Sequence, residues 1–160
     1  MQAGALSGSS SPFDWFIQRL DKSESEHDRT NILSAIGCFK DDEIISKVKA
    51  YTLSHVPPRN QSIPISSMAV NPAAMTGLWN WYQSEKDAIS GFHPLIHERV
   101  FSSIVPVSEN AEPDAVRDFL KQNMIKIHPD VVELTFERVF INQILKKNFS
   151  KFFAMVIHFS

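Results

Sequence analysis

Thr30-Asn31-Ile32-Leu33-Ser34-Ala35-Ile36-Gly37-Cys38-Phe39-Lys40-Asp41-Asp42-Glu43-Ile44-Ile45 contains a complete helix stop and restart. Ile32, Leu33 and Ile36 recur at helical spacing and give way to Gly37, a residue that ends helices by taking a left-handed conformation. Four residues on, Asp41 and Asp42 offer a carboxylate to the free N–H groups of a new helix. Behind them Ile44, Ile45, Val48 and Leu53 resume the spacing of three and four. A chain punctuated in this way is built from short amphipathic helices joined by short turns.

The prolines extend the pattern. Pro12, Pro72, Pro94, Pro113 and Pro129 stand where helices should begin, because proline has no N–H to satisfy there and its φ is already helical. Ser11 and Asn71 precede two of them as candidate caps. Leu78, Trp81, Tyr82 and Ile89 carry the helix expected after Pro72, and Val132, Phe136, Val139, Phe140 and Ile144 form a stripe on the last long one. Helices are expected at 13–20, 25–36, 42–54, 61–70, 72–89, 94–105, 113–123 and 129–148. No two-residue alternation bounded by Asn-Gly or Asp-Gly signals a hairpin. The fold class is therefore all-α, with about eight helices. Helix starts from Pro72 to Pro129 are 16–22 residues apart, so a helix pair occupies roughly the forty residues of a two-helix solenoid repeat. An α-solenoid is preferred to a compact bundle, although no repeated motif is visible.

Around this helical region, 13–148, residues 1–12 read as a flexible leader and 149–160 as an apolar tail. That tail could extend the last helix or form a strand. The leader is rich in Gly, Ser and Ala, without the basic start and apolar stretch of a secretory signal. A net charge of −2 without a clustered basic excess argues against a nucleic-acid partner. No run approaches the ~20 apolar residues of a membrane span. Cys38 is the only cysteine, so no internal disulfide can form, and a reducing, cytoplasmic setting is expected.

No catalytic motif stands at its required spacing. His93-Pro94-Leu95-Ile96-His97-Glu98 has two histidines one turn apart but lacks the internal glutamate of a zinc peptidase, and Pro94 places His93 outside the helix. His93 then reads as a cap and His97 as a surface or packed residue. Cys38 follows a helix end, where the dipole disfavours a thiolate, and reads as a small buried residue. No Gly-x-Ser-x-Gly turn and no phosphate-cradling glycine loop occurs. Trp81 and Tyr82 are expected in the core, and Trp79 against a neighbouring helix or a partner. Lys146 and Lys147 read as a solvated helix end. The expectation is a chain with no catalytic residue, no metal ligand and no cofactor of its own.

Three segments, in order, resemble the C-terminal helical domain of the gluzincin aminopeptidases, the family of puromycin-sensitive aminopeptidase, the endoplasmic-reticulum aminopeptidases and the tricorn-interacting factors. Asp28 to Cys38 with Asp41 to Ile45 is similar to its arginine-headed helix ending in Gly-Cys before an Asp-Pro-Glu cap. Ala69-Val70-Asn71-Pro72 with Leu78 to Tyr82 resembles its Asn-Pro segment followed by paired aromatics. Phe136 to Asn148 resembles its closing helix, with Ile144 where a tryptophan usually stands. The resemblance implies a HEAT/armadillo-like superhelix curving over a separate catalytic domain that binds zinc and holds the substrate's free amino group. It implies as partners that catalytic domain and a peptide substrate, and as role the closing of the substrate chamber during peptide breakdown. Arg59-Asn60-Gln61-Ser62 is similar to a family Arg-x-Gln-Asp stretch opening an inner-face helix, with Ser62 in place of the Asp. By that likeness Arg59 and Gln61 are candidate substrate-binding residues, the arginine able to pair with a peptide carboxylate. The alternative reading is an independent helical-repeat scaffold that binds proteins through its concave face.

Overall fold

The computed structural model describes residues 11–158, with side chains as far as Phe149. Nearly all of the expected leader and the side chains of the expected tail therefore lie outside the described residues. Within them the chain is all-α: α1 (Pro12–Asp21), α2 (Glu26–Ile36), α3 (Asp42–Ser54), α4 (Ser62–Ala69), α5 (Leu78–Ser84), α6 (Lys86–Ser90), α7 (Pro94–Ile104), α8 (Pro113–Gln122) and α9 (Pro129–His158). Single 3-10 turns at Pro58–Asn60, Met75–Gly77 and Val105–Val107 join some of them. Residues expected to end at 148 or to form a separate tail continue α9 as far as His158.

Most starts follow from local chemistry. Ser11 and Asp14 make a reciprocal capping box on α1, Ser25 accepts from the Asp28 amide on α2, and Asp41 accepts from the Ile44 amide on α3. Pro12, Pro94, Pro113 and Pro129 each open a helix as expected.

Pro72 opens none. The helix expected over 72–89 is replaced by a turn, the 3-10 segment Met75–Gly77, α5, a break at Glu85 and α6. Asn71 is the cause at the front end. Its Nδ2 donates to the carbonyls of Phe39 and Gly37 at 2.6 and 3.1 Å, and its Oδ1 accepts from the Ala73 amide, a local turn that competes with a helix. Gly37 departs from expectation too. Its φ is −73°, an ordinary right-handed value, so no left-handed stop exists there. A left-handed non-glycine occurs instead at Met124, φ 53°, just past α8, where the Ile125 amide reaches back to the Leu120 carbonyl.

The helices form two layers, as a helical-repeat fold requires. Along one side α2 packs on α4, α4 on α7, and α7 on α9. The other side runs α1, α3, α5/α6 and α8, linked by ring contacts of Phe13 with Tyr51 and of Trp79 with Phe119, and by Lys49 Nζ 5.9 Å from the Trp81 ring. Between the layers lie Leu33, Ile36, Val48, Ile65, Met68, Leu78, Tyr82, Val100 and Phe101, all with almost no exposure. Trp79 is buried against Phe119 of the neighbouring α8, a contact of the kind expected, while Trp81, expected in the core, is only half-buried. On α9, Val132, Phe136 and Val139 are buried while Phe140 and Ile144 are exposed.

Candidate functional site

Three helices of the first layer are each two-sided. α4 buries Ile65, Met68 and Ala69, α7 buries Ile96, Val100, Phe101 and Ile104, and α9 buries Val132, Phe136 and Val139. Their other sides carry small polar residues and arginines one turn apart: Ser62 and Ser66 on α4, Arg99 with Ser102 and Ser103 on α7, and Arg138 with Ile141 and Asn142 on α9. Stacked side by side, these faces make a groove. One hollow of about 520 Å³ is lined by residues including Ser62, Ser66, Arg99, Ser103 and Arg138. A second of about 420 Å³ shares Ser66, Ser102, Ser103 and Arg138 and extends to Ile141 and Asn142. No Asp or Glu lines either hollow.

Serines bind the groove wall together. Ser66 and Ser103 hydroxyls lie 3.0 Å apart across α4 and α7, and those of Ser102 and Thr135 lie 3.2 Å apart across α7 and α9. The Asn142 amide donates to the Pro106 carbonyl at 2.9 Å, tying α9 to the turn after α7. Among the described residues neither Arg99 nor Arg138 has an ion-pair partner. A separate hollow beside Trp15 contrasts with this one, since its wall mixes Arg19 and Lys22 with Glu24 and Asp28 and neutralises itself.

Arg59 and Gln61 line neither groove hollow. Arg59 is exposed and donates to Glu26 Oε2 at 3.0 Å, while the neighbouring Asn60 donates to Glu26 Oε1 at 3.1 Å. The Pro58–Asn60 turn is thereby clipped to the first residue of α2. A peptide carboxylate reaching Arg59 would have to displace Glu26, an exchange that costs little because an exposed pair is worth ~0–1 kcal/mol. Gln61 is buried, and its amide points inward to the Thr52 carbonyl at 3.5 Å. Arg99 carried no sequence signal of its own, and Arg138 stood only inside the closing-helix pattern. Their shared spacing with Ser102/Ser103 and Ile141/Asn142 becomes informative once the helices are known to stack.

His93 and His97 do different jobs. His93 Nδ1 accepts from the Leu95 amide, capping α7. His97 is buried, with Nε2 2.7 Å from the Tyr82 hydroxyl. Among the described residues no group of three or more His, Cys, Asp or Glu converges as metal ligands would. Cys38 is exposed, contrary to the expected burial, because it lies in the loop past the end of α2 with its thiol against the Ser34 carbonyl.

Burial lowers the His97 pKa from its usual value, opposed weakly by Glu98, and burial raises the Tyr82 phenol well above its usual range. The unfolded chain then takes up the His97 proton at a higher pH than the folded one. Stability from this residue is complete above the ordinary histidine pKa of about 6.5 and is lost as pH falls from there toward the folded value. The melting temperature should therefore drop more between about pH 7 and about pH 5 for the wild type than for His97→Gln, which has no ring to protonate. Parallel pH profiles would show that His97 contributes nothing to acid sensitivity.

These features define an all-α, stacked helix-pair domain with a polar, positively charged groove along one layer. The chain belongs to the family of the ERAP1-like C-terminal domain, whose family model matches residues 1–139. It is thus a C-terminal domain of the aminopeptidase type, as the three sequence segments implied. No curated protein and no solved structure matches the chain. Among the described residues no helix is long and apolar enough to cross a membrane.

Proposed function

We propose that this chain is the substrate-chamber cap of a zinc metalloaminopeptidase and is not catalytic by itself. In this reading the zinc and the amino-group-binding residues belong to a separate catalytic domain. The inner groove faces that domain, and the chain's role is to limit entry to peptides and to hold the substrate's far end. Arg59, exposed and exchangeable from Glu26, is a candidate contact for the peptide, with Gln61 behind it held against the Thr52 carbonyl. The observation that carries the proposal is the family match across most of the chain. The groove supports it, since a cap needs an inward polar surface rather than a second apolar core.

The test is reconstitution. The purified chain should show no aminopeptidase activity and retain no stoichiometric zinc after dialysis. Added to the zinc-binding portion of a gluzincin aminopeptidase stripped of its own C-terminal domain, it should associate and restore activity on peptides more than on a single-residue amide. Zinc retained by the chain alone, or no association with the catalytic portion, refutes the reading. A cytoplasmic location belongs to the same proposal and rests on the single free thiol of Cys38.

A further inference from the structure

We infer that the exposed face of α9 pairs with the same face of a second copy of this chain, the two helices running antiparallel about a two-fold axis near Asn142. The inference goes beyond the capping reading and does not rest on it, since it uses neither the serines and arginines of the groove nor a catalytic domain.

α9 carries apolar residues on two opposite sides. Val132, Thr135, Phe136 and Val139 recur at three and four and are buried against the rest of the chain. On the other side Leu134, Phe140, Ile141, Ile144, Leu145 and Phe149 follow the same spacing and are 42% to 63% exposed. All but Leu134 lie past residue 139, the last that the family model matches, so the family match does not account for them. At ~200 Å² for each fully exposed side chain, they leave about 600 Å² of apolar surface uncovered, the upper end of what a monomer carries. Two such faces brought together would remove about 1,200 Å² from water, the lower bound of a specific interface.

Charge selects the occupant. Glu137 precedes Ile144 by seven residues and Phe140 precedes Lys147 by seven, so all four share one edge of the stripe. Glu137 and Lys147 are both exposed, and among the described residues neither has an ion-pair partner. A two-fold axis beside Asn142 sets Glu137 of each copy opposite the partner's Lys147, and Phe140 opposite the partner's Ile144, because both pairs are centred on that residue. An edge that carries both signs at equal distance from its midpoint complements itself, which is what an isologous contact requires. A parallel pair would instead set glutamate against glutamate and lysine against lysine. An anionic lipid surface would be repelled by Glu137 at the same edge.

Sedimentation equilibrium of the full chain should show a reversible monomer–dimer equilibrium between about 1 and about 100 μM. Ile144→Asp should abolish the dimer without loss of helix content, while Leu95→Asp, exposed on α7, should leave it intact. Glu137→Lys and Lys147→Glu should each weaken self-association about tenfold, since each sets like charges together twice across the axis. An equimolar mixture of those two variants should dimerise about as tightly as the wild type, because each supplies the charge the other lacks. A wild type that stays monomeric over that range, charge variants that dimerise as tightly as the wild type, or a mixture no tighter than either variant alone would each overturn the inference. So would a monomeric chain that sediments with phosphatidylserine-containing vesicles, or one that loses the catalytic portion on Ile144→Asp, since the face would then belong to lipid or to that domain. Failure of reconstitution with a dimer still present would sink the capping reading and leave this one standing.

Discussion

Replacing Gly37 by alanine should lower the melting temperature by about 8 °C, an effect of roughly 2–3 kcal/mol at the 2–4 °C per kcal/mol usual for a chain of this size. A Cβ at this position would sit 2.6 Å from the Pro64 carbonyl oxygen and 2.6 Å from Ser67 Cβ, with the Met68 amide at 3.1 Å. These are atoms of the α4 backbone and a first side-chain carbon, so no rotamer change can clear them. α2 and α4 must move apart, and the layer they clamp contains Leu33, Ile36, Ile65 and Met68, all nearly inaccessible. Separating them costs packing contacts on both sides. The φ of −73° suits alanine, so backbone entropy pulls the other way by ~0.4–1 kcal/mol. Sterics win because the overlap lies with rigid atoms. Two other glycines supply controls. Gly77→Ala would meet only Lys49 Nζ at 3.8 Å, and Gly91→Ala meets the Ala88 carbonyl at 3.3 Å, so both should stay within about 2 °C of wild type. A Gly37→Ala protein melting alongside those two would show that the close approach of α2 and α4 contributes nothing.

The fate of Gly37 illustrates which parts of the fold were legible. That a helix ends there is a local matter, readable from the loss of apolar spacing. Why a glycine ends it is not local: the answer lies in α4, about thirty residues away, and the left-handed explanation failed. Pro12, Pro94, Pro113 and Pro129 were read correctly because a proline's effect on its own first turn needs no neighbour. Pro72 opens no helix because Asn71 does not cap one and spends both amide protons on the end of α2 and the loop after it. Trp81, expected in the core, is half-buried instead, while Trp79 meets the neighbouring α8 as expected. Cys38, at a helix end and small and apolar, is expected inside, and loop geometry puts it outside. The groove was the least legible element. Arg99 and Arg138 are 39 positions apart and acquire meaning only when α7 and α9 lie side by side. The family segments, by contrast, were recognisable because they record these junctions: Gly37 from the first and Asn71 from the second are hydrogen-bonded to each other.

Asn71→Asp should be the most damaging conservative substitution in the chain, worse near neutral pH than Asn71→Ala. The wild-type amide is buried, donates to Phe39 and Gly37 carbonyls, and accepts from the Ala73 amide. Alanine removes all three bonds and strands carbonyls that are wholly or partly shielded from water. At about 1–3 kcal/mol for each buried group left without a partner, the loss is roughly 3 kcal/mol. Aspartate has the same shape and keeps the bond from Ala73, so on geometry alone it should be the milder change. Electrostatics reverse the order. An ionised carboxylate has no proton to donate, and it faces two carbonyl oxygens in a site where its charge is poorly hydrated. The protonated form is the one the site accepts, so the folded-state pKa of the new group must rise above the unfolded carboxylate value. Stability of the variant therefore improves as pH falls through that raised pKa, the opposite direction from the loss expected at His97. Urea titrations of the two variants at neutral and mildly acidic pH separate these effects. Asn71→Ala should track the wild type's pH dependence, while Asn71→Asp starts below Asn71→Ala and closes the gap on acidification. An aspartate variant at least as stable as the alanine one at neutral pH would mean that the donated protons are not what holds the loop. The consequence reaches the groove. The Asn71 clamp joins the end of α2 to the end of α4, and α4 carries Ser62 and Ser66 into the groove wall. Either variant should therefore loosen the groove wall, read as faster amide exchange in α4, without altering any residue that lines it.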